Sequence, residues 1–126
     1  DIIYYASKDN GAYKIKNDDI CKIHVNPFKE KIRLLISNFF FKEHDEIKNN
    51  PLIGQVIPCG SSYKAGLIAE GKGDLVIKRG PQTKQWDTAP IEIIIKEAGG
   101  IITDSYGESI KYNTEDVYNR NGFLIW

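Results

Sequence analysis

Apolar and polar residues alternate over the first 25 positions, run together around residue 34, and take up a helical spacing after residue 86. Residues 2–6 and 12–16 are β-favouring, and the turn cluster Lys8-Asp9-Asn10-Gly11 between them predicts a hairpin. Asn17-Asp18-Asp19 turns the chain again before an alternating stretch at 20–25, which Asn26-Pro27 ends. Residues 32–37 are short and continuously apolar, as expected of a strand covered on both faces. Further strands are expected at 53–58, 74–79, 101–104 and 123–126. Residues 109–112 read as extended, and 113–121 as a polar loop closing on an Asn121-Gly122 turn.

The helical period is strongest at 87–100. Ile91, Ile94, Ile95 and Ala98 form one buried face, and Gly99-Gly100 supplies a left-handed stop. Asp87 stands before this run and is expected to be its N-cap, with Pro90 in the first turn where its missing N–H costs nothing. A carboxylate at such a turn can equally hold a divalent metal, and a helix N-terminus favours phosphate. A second helix start lies at Cys59-Gly60-Ser61-Ser62-Tyr63-Lys64. Its glycine allows close backbone approach, its hydroxyls can cap, and Lys64 falls in the first turn, so the turn suits phosphate as well as an ordinary serine cap. This helix runs over 65–70 and stops at Gly71 and Gly73, and a polar helix is expected over 42–48. Strands alternating with helices from residue 32 onward predict an α/β fold, and the N-terminal hairpin makes the expected sheet mixed.

Composition narrows the choices. The 126 residues suffice for one domain with a single core. Lys plus Arg equals Asp plus Glu at 17 each, so no bulk field recruits a nucleic-acid polymer or an anionic membrane. A small phosphorylated ligand needs only a local cationic pocket and stays open. Cys21 and Cys59 are far apart with no CxxC partner, which suits a reducing cytoplasm better than a disulfide scaffold or a zinc site. No apolar run approaches the ~20 residues of a membrane span. His24 and His44 lack companion ligands, and Phe39-Phe40-Phe41 reads first as core packing, with stacking on a ligand as the alternative. The chain has no methionine and opens in mid-strand, so a fragment of a longer protein is expected.

Three segments carry a resemblance: Gly60-Ser61-Ser62-Tyr63-Lys64 through Gly71, Gly80-Pro81 through Trp86-Asp87-Thr88-Ala89, and Glu97-Ala98-Gly99-Gly100 through Asp104. They resemble the C-terminal half of inositol monophosphatase-like phosphatases, most closely the bisphosphate nucleotidase branch, whose closing N-x-N-G-F is similar to Asn119–Phe123. The resemblance implies the C-terminal portion of an αβαβα sandwich, with residues 1–126 as one domain. It implies a phosphatase dependent on two or three Mg²⁺ ions and sensitive to lithium, acting in the cytoplasm or at the inner membrane surface in sulfur assimilation. Its substrate would be 3'-phosphoadenosine 5'-phosphate, with inositol or sugar monophosphates, or a non-catalytic nucleotide module, as the alternatives. Asp87 would ligate metal. Gly60, Ser61, Ser62, Lys64, Ser37 and one or both of Lys78 and Arg79 would contact substrate. Nothing here matches the family's D-P-(I/L)-D-G-(T/S) cluster, and Ser37-Asn38-Phe39-Phe40 replaces the usual S-R-S-H. The expected partners are therefore the nucleotide, the chain's own N-terminal half and a second copy, and the chain alone is expected to be inactive.

Overall fold

The computed structural model describes residues 1–27, 30–37, 45–60 and 62–126. The early alternation becomes β1 (Ile2–Ser7), β2 (Gly11–Lys16) and β3 (Asp19–Ile23), an antiparallel sheet in that order. Alternation fixes its faces: Ala12 and Lys14 are buried inward, whereas Ile3 and Ile20, both level with Ile15, lie exposed on the outer face.

The remaining strands form a second sheet: β4 (Ile32–Ile36), β5 (Ile53–Pro58), β6 (Leu75–Lys78), β7 (Ile102–Thr103) and β8 (Phe123–Ile125), in the order β5-β4-β6-β8-β7. Strands β5, β4 and β6 are parallel, and β8 runs antiparallel to both β6 and β7. The sheet is mixed, as expected, but for a different reason: the N-terminal hairpin has a sheet of its own, and the antiparallel character comes from the closing strand β8. Residues 109–112, expected to be extended, form no strand.

Three helices are described: the single turn α1 (Asp45–Lys48), α2 (Tyr63–Ala69) and α3 (Gln85–Glu97). Of the polar helix expected at 42–48, only this last turn falls within the described residues. The continuous apolar run of β4 does what such a run should in a central strand. Leu35 packs with Ile68, Val76, Ile95 and Ile125 on the face carrying α2 and α3, while Leu34 and Ile36 pack with Ile47 on the other. Each of these side chains, fully buried, stabilises the fold by about 1.5–3 kcal/mol.

The two sheets are bridged through α2 and α3. Glu97 at the end of α3 accepts the N–H groups of Asp9 (2.9 Å) and Gly11 (2.7 Å) in the β1–β2 turn, and Val25 N–H donates to Ala98 O at 3.0 Å. Gly99 then takes φ +85°, the expected left-handed stop, and Gly100 N–H reaches back to Ile95 O at 2.9 Å. Among the described residues no helix is long and apolar enough to cross a membrane.

Candidate functional site

A cavity of about 290 Å³ opens where β6, the start of α2 and the start of α3 converge. Val76, Ile91, Phe123 and Ile125 give it an apolar floor, and Ser37, Ser62, Lys64, Lys78, Thr83 and Asp87 supply its polar wall. Five of the residues expected from sequence to touch substrate or metal thus meet in one place, although they come from four separate segments.

Strand period explains the choice between the two adjacent cations. Val76 and Lys78 share a face of β6 and look into the cavity, while Ile77 packs with the opposite cluster. Arg79, one residue on, is exposed and pairs with Glu46 at 3.1 Å, away from the cavity. Lys78 is held in place by its strand partner: it lies level with Phe123 in β8, and Gly122 approaches so closely that a Cβ there would sit 2.0 Å from Lys78 O. Gly122 has φ +65°, so glycine is required on both counts.

Lys64 extends from the first turn of α2, with Nζ 3.4 Å from the carbonyl of Cys59. Burial pushes its ammonium below the usual lysine range; Cys59 opposes that shift and Lys78 adds to it. Neither Lys64 nor Lys78 has a carboxylate within ion-pair distance among the described residues. Two unpartnered cations over an apolar floor form a pocket shaped for an anion. Burying like charges together is unfavourable until something negative joins them.

Asp87 lines the same cavity, and here the sequence expectation is corrected. Helix α3 starts three residues earlier than expected, with Lys84 at the N-cap, and Asp87 is the third helical residue. Its Oδ2 reaches back to accept Lys84 N–H at 2.8 Å, the acidic half of a capping box. Asp87 therefore caps from inside the helix. Pro90 correspondingly lies in the second turn and not the first, where its missing N–H leaves the carbonyl of Trp86 without its helical donor. The earlier start is imposed by the 113–121 loop. Gln85 N–H donates to Val117 O at 2.9 Å, and the Gln85 side chain bonds Thr114 Oγ1 at 2.7 Å and Asn113 N–H at 2.8 Å. The buried Asn119 spans Thr83, Lys84 and Thr88. None of this was visible in local sequence, because the partners lie 28 to 36 residues apart.

The other expected residues are placed as follows. Ser62 is the N-cap of α2 but makes no side-chain cap bond, so its hydroxyl is not consumed by the helix. Ser37 lines the cavity from the end of β4. Gly60 does not line it, and among the described residues a Cβ there would meet nothing within 4 Å. Ser61, Phe39, Phe40, Phe41 and His44 lie outside the described residues. His24 is exposed, after β3.

As a metal donor set the cavity supplies one carboxylate. Among the described residues no group of three or more His, Cys, Asp or Glu side chains comes together. Mg²⁺ takes about six oxygen ligands. Asp87 fits the part of a single ligand, and the described residues by themselves do not form a complete metal centre.

The family model for the inositol monophosphatase family matches residues 1–124. The chain belongs to that family. Among characterised relatives, the 3'(2'),5'-bisphosphate nucleotidase CysQ of Haemophilus influenzae is 33% identical over 130 residues, covering 97% of this chain and 46% of that protein. CysQ of Aggregatibacter actinomycetemcomitans is 32% identical over 126 residues, with the same coverage. The chain spans about half the length of the curated relatives it matches. Among solved structures, CysQ from Bacteroides thetaiotaomicron superposes with a TM-score of 0.75 at 23% identity, over 98% of this chain and 53% of that one. An inositol monophosphatase from Zymomonas mobilis gives 0.74 at 22%, over 97% and 46%. At these identities the structural likeness shows the α/β phosphatase fold alone.

Proposed function

We propose that this chain is the substrate-anchoring half of a Mg²⁺-dependent phosphatase that hydrolyses 3'-phosphoadenosine 5'-phosphate to AMP and phosphate. One observation carries the proposal: Lys64 and Lys78 share a cavity with no carboxylate partner among the described residues, and Asp87 faces them from the head of α3. The two ammonium groups hold the phosphate that is retained, with hydroxyl donation from Ser62 and Ser37. Two cations suit a second phosphate better than the neutral hydroxyls of an inositol ring. The N-terminal end of α3 favours negative charge near Asp87. Bound Mg²⁺ would supply the positive charge needed to polarise a phosphate oxygen and to activate water. Asp87 supplies one oxygen towards it. The other ligands would come from the remainder of the longer fold that the relatives possess. The relatives named 3'(2'),5'-bisphosphate nucleotidase support a bisphosphorylated nucleotide as substrate.

The chain alone is then a binder without activity. Calorimetric titration with 3'-phosphoadenosine 5'-phosphate, AMP and inositol 1-phosphate separates the alternatives. Tightest binding of the bisphosphate is expected, with no Mg²⁺-dependent phosphate release from the isolated chain. Equal or tighter binding of inositol 1-phosphate would replace the nucleotide with a sugar phosphate, and release of phosphate would show that the catalytic groups are all here.

A further inference from the structure

Thr83 lines the same cavity and belongs to the turn Gln82-Thr83-Lys84 that leads into α3. Its hydroxyl is oriented from behind. Asn119, only 8% exposed, points its amide nitrogen at three oxygens: Thr83 Oγ1 at 3.1 Å, Lys84 O at 3.0 Å and Thr88 Oγ1 at 3.3 Å. An amide NH₂ has two protons and no acceptor capacity, so its two donations are shared among these three oxygens, and any oxygen it engages accepts. Thr88 satisfies this by donating its own proton to Gln85 O at 3.2 Å. Thr83 Oγ1 likewise accepts from Asn119, and among the described residues its own proton has no acceptor. The backbone is locked in the same direction, since Asn119 N–H donates to Thr83 O at 2.9 Å. A threonine fixed on both its oxygens, with a spare proton at a cavity wall, is a directional donor awaiting an acceptor.

We propose that Thr83 is a ligand-contacting residue, donating its hydroxyl proton to a phosphate oxygen of the anion held by Lys64 and Lys78, and that Asn119 is the positioning residue that aims it. Lysine ammonium groups attract an anion from any direction. A hydroxyl with one fixed vector selects how the phosphate is turned, which makes Thr83 a determinant of orientation. The proposal rests on the cavity being an anion site, and the test keeps the two apart.

Binding of 3'-phosphoadenosine 5'-phosphate, and separately of inorganic phosphate, is measured by titration calorimetry on the chain and its variants, each checked for its melting transition. Thr83→Val is expected to weaken both ligands about ten- to a hundredfold, the loss of one hydrogen bond to a charged group. Thr83→Ser, which keeps the donor, should stay within about threefold of the parent. Asn119→Ala should weaken binding by a smaller factor, and in the Thr83→Val background it should have no further effect on affinity whatever it does to stability. That coupling is not expected of a side chain that only supports the fold. Should Thr83→Val fail to fold, Thr83→Ala removes the same donor without setting a methyl against Asn119, and carries the same expectation. Unchanged affinity in the Thr83 variants, alongside loss in Lys64→Met, overturns the proposal while leaving the anion site standing. Weakened nucleotide binding with unchanged phosphate binding also overturns it, by placing Thr83 on the sugar or base. Parent-like binding in Lys64→Met and Lys78→Met, or no saturable binding by the parent, overturns the anion site and the proposal together.

Discussion

Lys14 and Lys64 both turn inward, and their surroundings could hardly differ more. Lys14, in the middle strand of the first sheet, meets the carboxylate of Glu70 at the end of α2, which also accepts from Tyr4 at 2.8 Å and lies 3.3 Å from Lys72. The hydrogen bond to Glu70 is the main reason that the Lys14 ammonium is held above its ordinary range. Burial pushes the Glu70 carboxyl up, but donors from Lys14, Tyr4 and Lys72 outweigh it and bring it below the usual value. Lys64 has only a backbone carbonyl at 3.4 Å, and its ammonium shifts downward. Where the fold provides the counter-charge, the lysine ties the first sheet to the end of α2. Where it does not, the lysine is set for a charge that arrives from outside.

The comparison is broken most forcefully at its structural member. Glu70→Ala leaves Lys14 buried without a partner and is expected to cost about 3 kcal/mol of stability, read as a fall in denaturant midpoint. Phosphate affinity of the folded protein should not change. Lys64→Met should behave in the opposite sense: phosphate affinity falls about tenfold or more, as expected on losing a charged hydrogen bond, while stability without ligand holds or rises. If Lys64→Met destabilised the free protein as much as Glu70→Ala does, the contrast between the two lysines would not exist.

The alkaline limb of the stability curve sharpens it further. Lys64 has a folded-state value below its unfolded value of about 10.5, so below that pH the unfolded state binds more protons and stability rises with pH through this window. Lys14 has a raised value, so its contribution is full below about 10.5 and is lost as pH climbs through the folded value. Replacing Lys64 should remove the rising component, and saturating phosphate should suppress it in the parent. At the acid end Asp74, held below the ordinary carboxylate range first by the Arg33 guanidinium at 2.8 Å, contributes stability that is present above its unfolded value. That contribution is lost as pH falls below about 4 and through the folded value. Arg33→Met should flatten this acid limb without touching phosphate binding.

The smallest effect is expected at Arg79. It stands beside Lys78 in sequence but on the outer face, with its exposed ion pair to Glu46. Arg79→Ala should change stability by about 0.5 kcal/mol at most and phosphate affinity less than about twofold, against a marked loss for Lys78→Ala. A larger effect at Arg79 than at Lys78 would invert the side-chain alternation of β6.

How much of this was legible beforehand follows from the range of each interaction. Strands β1 to β6 follow from period-two alternation, turn residues and one apolar run, all properties of neighbouring residues. The pair Gly99-Gly100 stops α3 as written. Asp87 was misplaced by a turn because an acid ahead of an apolar run satisfies two geometries equally, the cap itself or the third helical residue reaching back. The deciding contacts, from Gln85 to residues 113–117, are long-range and made by a loop with no period. The lysines at 64 and 78 were visible as candidates, and the strand phase that keeps Lys78 and rejects Arg79 needed only a counted register. Thr83 had no local signal, and Asn119 stood out only as part of the closing N-x-N-G-F run, since a threonine and an asparagine in polar turns look alike whether they are buried or free. The mixed second sheet was foreseen with the wrong source, because a hairpin's position in sequence does not say which sheet it joins.

The most direct test of the empty-handed lysines is one titration: 3'-phosphoadenosine 5'-phosphate into the parent chain, Lys64→Met and Lys78→Met, with Glu70→Gln alongside as the structural control. Saturable one-to-one binding by the parent, lost in both cavity variants and retained by the folded fraction of the control, is the expected result. Binding that survives in both cavity variants, or a parent that binds nothing, would contradict it.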